Sequence, residues 1–171
     1  MIRETLKSDM ESVCSVIQLA FASVDPAGDD HEIVPEVLLV SDLIKDEDVL
    51  INLVYEIASE IVGNVVVSNI SLDPNKGLYC GGVAPLSVLP TNQSLGVGGS
   101  LMREAVNRGS RLGLDALFLL GDPVYYSRFG FQVSNLANEY SNTHFQELEI
   151  REGCLAGLSS KVSYAPAFAR L

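Results

Sequence analysis

The chain has 171 residues, 47% hydrophobic and 19% charged, and its 11 lysines and arginines face 22 aspartates and glutamates for a net charge of −11. That length sustains one sizeable core, so a single domain over residues 1–171 is expected. The acidic balance opposes the counterion release that drives DNA or RNA binding, and no apolar run approaches the roughly 20 residues of a membrane span, which argues against both as functions.

The N-terminal segment MIRETLKSDME lacks the basic and apolar regions of a signal peptide, so a cytoplasmic protein is expected. Residues 2–6 read as a first strand. Ser8 and Glu11 then have capping-box spacing, and Val13, Val16, Ile17, Ala20 and Phe21 recur on one helical face. Residues 24–31 are turn-rich and form a plausible loop over a site, and Pro35 opens a second helix over 35–45. Residues 50–58 and 61–71 are rich in Val and Ile and flank Ser59-Glu60 as a hairpin. A turn at 73–77 leads into a strand reaching Leu89, so this part of the sheet is antiparallel. Val97, Leu101, Ala105, Val106 and Leu112 mark a third helix that closes near Gly113, and 115–120 form one further buried strand. That strand–helix–strand crossover implies one parallel pair. Asp122 suits the N-cap and Pro123 the first position of a short helix through Phe129; Phe131 onward and 144–150 supply the last strands. The expected class is α/β (α+β), with a mixed, largely antiparallel sheet flanked by helices. The cysteines Cys14, Cys80 and Cys154 are odd in number and widely spaced, which suits buried reduced thiols better than disulfides or a zinc pair.

Gly96, Gly98 and Gly99 precede the third helix, and glycine weakens a helix by roughly 0.5–1 kcal/mol relative to alanine. A first helical turn without side chains exposes N–H groups at the positive end of the dipole, an anion site; close packing at a tight turn is the other use. A Walker loop fails because Ser100 and Leu101 follow Gly99 instead of Lys and Ser/Thr. The dinucleotide fingerprint fails at Leu101, although Asp115 stands near the distance of a ribose-binding acid, so an NAD-dependent oxidoreductase remains a weak alternative.

A third pattern fits better. Pro90-x-x-Gln93-x-x-Gly96-x-Gly98, after Leu86-Ser-Val88 and before an amphipathic helix, resembles the acetyl-CoA signature of the GNAT N-acetyltransferase superfamily. Tyr126-x-x-Phe129-Gly130-Phe131, about thirty residues on, resembles its tyrosine-containing segment. Leu86-Ser-Val-Leu-Pro90, Leu120-Gly-Asp-Pro-x-Tyr-Tyr126 and Val162-Ser-Tyr-Ala-Pro-Ala-Phe168 resemble the YhbS-like acetyltransferases within it over nearly the whole chain.

The resemblance implies the acyl-CoA N-acyltransferase (GNAT) fold and transfer of acetyl from acetyl-CoA to a primary amine of a small molecule or peptide, without a metal. It implies that backbone N–H groups of the loop of Ser94, Gly96, Gly98 and Gly99 hold the CoA pyrophosphate, with Gln93 at the family's Gln/Arg position and Leu95 and Val97 among the cofactor-binding residues. By the same likeness Val88 pairs with pantetheine, the Leu86 N–H polarises the thioester carbonyl where the strand bulges, and Tyr126 protonates the leaving thiolate. The five-residue interval to Phe131 selects Tyr126 over Tyr125. The chain departs from the superfamily at Leu119 and Asp122, where many members carry an asparagine and a small residue. A general base is not assigned: His31, Glu32, Glu56 and Asp122 qualify by residue type, and a water chain is the alternative. Asp25, Asp29, Asp30 and Glu32 suggest a cationic acceptor. The oligomeric state stays open, a homodimer being common among similar enzymes. A non-catalytic acyl-CoA sensor is the other reading.

Overall fold

The structure, a computed structural model, describes residues 1–22 and 32–171. The expected turn at 24–31, with Asp25, Asp29, Asp30 and His31, lies outside the described residues.

Strand β1 (Ile2–Glu4) leads through a 3-10 turn (Lys7–Asp9) into α1 (Met10–Ala22). Asp9, rather than the Ser8 and Glu11 pair, organises this entry: its carboxylate accepts the Leu6 N–H at 2.7 Å and the Arg3 guanidinium at 2.6 and 3.1 Å. Charge-assisted bonds of this kind are stronger than those of a neutral hydroxyl, which is why the carboxylate takes the position. The Arg3 bond, then the Leu6 bond, holds the Asp9 pKa below the usual carboxylate range. The resulting stabilisation is complete above the unfolded carboxylate pKa of about 3.9 and fades as pH falls through the lower folded value. Asp9→Asn is therefore expected to destabilise the protein at pH ~7 and much less near pH ~2. Denaturant titrations at the two pH values check this, and equal losses would refute it.

Helix α2 (Pro35–Lys45) starts with Pro35 at its first position. Strands β2 (Val49–Ile57) and β3 (Glu60–Asp73) form the expected hairpin, but it turns one residue early, on Ala58 and Ser59 at φ 48° and 68°. Strand β4 (Cys80–Val88), a 3-10 turn (Pro90–Asn92), α3 (Val97–Arg111) and β5 (Ala116–Leu120) follow. The short helix is α4 (Pro123–Tyr126), continued as a 3-10 turn (Ser127–Phe129), and β6 (Gln132–Val133) and β7 (Phe145–Glu149) come next. A last strand, β8 (Lys161–Tyr164), was not anticipated; it borders β3 at 70–73, beyond the point where β2 stops pairing at Ser68.

The sheet runs β1-β2-β3-β4-β5-β7-β6, with β8 beside β3, and every strand pair is antiparallel except β4 with β5. Both faces are covered, so the central strands are apolar on both sides, as their continuous Val-rich sequences require. Leu101, Met102 and Ala105 of α3 pack on Leu53, Val65, Val83 and Leu117; α1 and α2 cover Val54 and Val66 with Val13, Ile17, Leu39 and Leu43. Among the described residues no helix is long and apolar enough to cross a membrane. The cysteines are free, but only Cys80 is buried; Cys14 and Cys154 are half-buried.

Gly63 of β3 sets how closely α3 approaches. A Cβ there would lie 2.9 Å from Val97 and 3.0 Å from Leu101. Gly63→Ala is expected to cost about 1–3 kcal/mol by overpacking, lowering Tm by roughly 2–4 °C per kcal/mol; an unchanged melting curve would refute this close approach.

Candidate active site

Strands β4 and β5 pair over Cys80–Ala116, Gly81–Leu117 and Gly82–Phe118, and then part. On its other edge β4 bulges at Ala84 and Pro85, since Val83 pairs with Val67 but Leu86 with Val65. Pro85 has no N–H to give to a ladder. Beyond the bulge the Leu89 N–H donates to the Val62 carbonyl at 2.9 Å. Antiparallel hydrogen-bonding positions alternate, so Ser87 turns its backbone to β3 while Leu86 and Val88 turn theirs to the split, where no strand meets them. Gln93 Nε2 donates to the Val88 carbonyl at 3.1 Å. The N–H groups of Leu86 and Val88 remain directed into the gap.

Across the gap, the Asp122 carboxylate caps α4 by accepting the Val124 N–H at 2.9 Å, and Pro123 occupies the first helical position. This turn lays the Tyr126 ring on Gly121, where a Cβ would come within 2.3 Å of the ring. Tyr126 also meets Phe131 edge-on at 6.1 Å and Tyr125 at 4.9 Å. Burial, with the neighbouring Tyr125 as a lesser cause, pushes the Tyr126 pKa up to about 12. Between the walls lies a cleft of about 280 Å³, lined by Leu86, Val88, Gln93, Gly98, Tyr125 and Tyr126 and closed by Ala20 and Phe21 from the end of α1.

The glycine turn forms one mouth of this cleft. Ser94 and Gly96 adopt left-handed φ values of 62° and 86°, and the Ser100 N–H closes onto the Gly96 carbonyl at 3.0 Å. The N–H groups of Val97, Gly98 and Gly99 precede that bond and have no partner within the helix. They sit at the positive end of the α3 dipole. Leu95 is 71% exposed and Val97 is buried against Gly63, so both offer the site only their backbone. Ala20, Phe21 and Tyr125 were not anticipated as lining residues. Phe21's spacing on the inner face of α1 was the signal that could have identified it.

Three of the candidate bases have other roles or positions. Glu56 accepts from Arg3 Nε at 2.8 Å, Asp122 caps α4, and Glu32 is exposed. Among the described residues, those lining the cleft include no carboxylate or imidazole. Asp115 accepts the Tyr79 N–H at 2.7 Å and pairs with Arg151. It precedes β5, at the end opposite the split, which removes the ribose-binding acid from the NAD reading.

A forked sheet with a helix N-terminus at its mouth is the architecture of an acyl-CoA acyltransferase. Residues 1–134 match the family model described as an acetyltransferase (GNAT) domain, and the chain belongs to that family of acetyl-CoA-dependent N-acetyltransferases. It is 25% identical over 175 residues to the N-acetyltransferase YhbS of Escherichia coli K12, an alignment covering 99% of each chain. The crystal structure of E. coli YhbS in complex with CoA superposes with a TM-score of 0.88 at 26% identity, over 100% of this chain and 92% of that one. A GNAT family acetyltransferase from Brucella melitensis in complex with acetyl-CoA gives a TM-score of 0.78 at 28% identity, over 98% and 97% of the two chains.

Proposed function

We propose that the protein transfers the acetyl group of acetyl-CoA to a primary amine of a small molecule or peptide by direct attack, with Leu86 and Tyr126 as its catalytic groups. The observation that carries this reading is the split between β4 and β5, which has outward N–H groups on one wall and a half-buried neutral phenol on the other. Acetyl-CoA supplies an activated acyl thioester. The N–H groups of Val97, Gly98 and Gly99 receive its pyrophosphate, with Ser94, Leu95 and Gly96 shaping the turn. The Val88 N–H pairs with the pantetheine arm, while Gln93 orders that wall by holding the Val88 carbonyl.

As the amine nitrogen bonds to the acyl carbon, the Leu86 N–H meets the charge that develops on the carbonyl oxygen. When the carbon–sulfur bond breaks, the Tyr126 hydroxyl gives its proton to the departing sulfur. The proton lost by the amine passes to water, and water returns a proton to the Tyr126 oxygen, which restores the phenol for the next turnover. The continuous sheet supports one catalytic domain over residues 1–171, and the free thiols are compatible with a cytoplasmic setting.

Calorimetric titration with acetyl-CoA, with NAD as control, tests the cosubstrate, and thiol release across an amine panel tests turnover. Micromolar acetyl-CoA binding, about −8 kcal/mol, and amine-dependent thiol release are expected. Binding without turnover on any amine would favour the sensor reading, and binding of NAD alone would overturn the assignment.

A further inference from the structure

We propose that Arg103 and Arg128 form a second phosphate site beside the glycine turn, which takes the ribose 3′-phosphate of CoA and makes the enzyme select CoA over 3′-dephospho-CoA. The inference rests on the acetyl-CoA reading above.

Most arginines of this acidic chain are paired: Arg3 with Asp9 and Glu56, Arg108 with Glu4 and Glu104, Arg151 with Asp115, and Arg170 with Asp42 and Asp46. Among the described residues, Arg103, Arg111 and Arg128 have no such partner. Arg111 is at the far end of α3, but the other two flank the turn. Arg103 stands one helical turn beyond Gly99, with Nη1 3.5 Å from the place a Gly99 Cβ would take and its guanidinium 5.6 Å from the Phe129 ring centre. The Arg128 guanidinium lies 4.5 Å from the Tyr125 ring centre, and the rings of Tyr125 and Phe129 meet edge-on at 5.6 Å.

The two rings therefore make one platform carrying two cations. Stacking on an aromatic face attracts a guanidinium while leaving its N–H edge free for a bidentate bond to phosphate. Two exposed guanidiniums on adjoining rings, neither with a carboxylate partner among the described residues, carry uncompensated charge that a dianion bonded to both would neutralise. The position along α3 indicates which dianion. The thioester arm lies between Leu86 and Tyr126, and the pyrophosphate meets the N–H groups of Val97, Gly98 and Gly99. The nucleoside then continues outward past the first turn of α3, where Arg103 stands. The remaining dianion of CoA is its 3′-phosphate.

Calorimetry with CoA and 3′-dephospho-CoA on the wild type, Arg103→Ala, Arg128→Ala and the double variant tests the site. The wild type is expected to bind CoA roughly 10- to 100-fold more tightly. The double variant is expected to bind both ligands alike, at the wild-type affinity for 3′-dephospho-CoA. Equal wild-type affinities would overturn the site, and so would variants that lose equally for both ligands, since the arginines would then serve the pyrophosphate or the fold. A wild type that binds neither ligand would overturn this inference together with the acetyl-CoA reading. Removing the phosphate from the ligand needs no altered protein, so misfolding cannot imitate the wild-type result.

Discussion

Tyr126→Phe is expected to lower kcat by roughly 10²- to 10³-fold and to leave the KM for acetyl-CoA within about twofold, because in the proposed mechanism only a proton donor to the leaving sulfur is lost. The phenylalanine ring keeps the contact with Gly121 and the edge-on packing against Phe131, so the fold is unchanged. Steady-state thiol release at saturating acetyl-CoA reads the effect, and an unaltered kcat would remove Tyr126 from the chemistry. The hydroxyl's pKa of about 12 gives the wild type a second signature. Its proton stays in place through neutral and mildly alkaline pH, so the rate climbs as the acceptor amine deprotonates and has no alkaline limb below about pH 10. The raised pKa also stabilises the fold below the unfolded tyrosine value of about 10, and that contribution is lost as pH rises towards the folded value. The wild type and Tyr126→Phe are therefore best compared near pH ~8.

Gly98→Val is expected to weaken acetyl-CoA binding by at least about 100-fold, near 2.7 kcal/mol, with a stability change below about 1 kcal/mol. The two effects separate because they have different origins. In the helix valine is no worse than glycine, and the new Cβ meets the Tyr125 hydroxyl at 3.0 Å, Val88 at 3.5 Å and Leu86 at 4.0 Å. Its methyl groups, however, enter the mouth of the cleft where an anion must approach bare N–H groups. Gly99→Ala serves as the control, since its Cβ has no neighbour nearer than 3.5 Å. Calorimetry and thermal melting on the same samples check both halves. Retained affinity in Gly98→Val would mean that glycine at this position serves the turn alone.

Most of the fold could be read from local signals. Pro35, Asp122 and Pro123 act at the positions their chemistry suggested, and Val65 and Val66 lie in a doubly covered strand, as a Val-rich run implies. Asp9 was missed because a capping box is a local pattern, whereas its partner Arg3 comes from the preceding strand. Strand β8 was missed because four residues with Lys161 and Ser163 outward give too short an alternation, and its pairing site on β3 is some ninety residues away in sequence. At the candidate site, Gly98 and Tyr126 were found through motifs. The wall made by Ala20 and Phe21 depends on how α1 crosses the sheet, which no short motif encodes. Leu86 and Val88 were named through the family resemblance alone, because no residue type announces which backbone N–H groups of β4 are unpaired; in the structure that follows from the bulge at Pro85 and the bond from Leu89 to Val62.

The fork in the sheet also bears on solubility. A strand with unpaired backbone groups is ordinarily a template on which another molecule can add a strand and begin to aggregate. Here that open edge lies inside the molecule, runs only from the last β5 pair at Gly82 to Val88, and is interrupted by the proline bulge and closed by the Gln93 side chain on the Val88 carbonyl. So short and broken an edge is a poor template for a foreign strand, and Phe21 and Tyr126 line the approach to it. The protein can thus keep a permanently open ladder for a small molecule while denying it to other polypeptides.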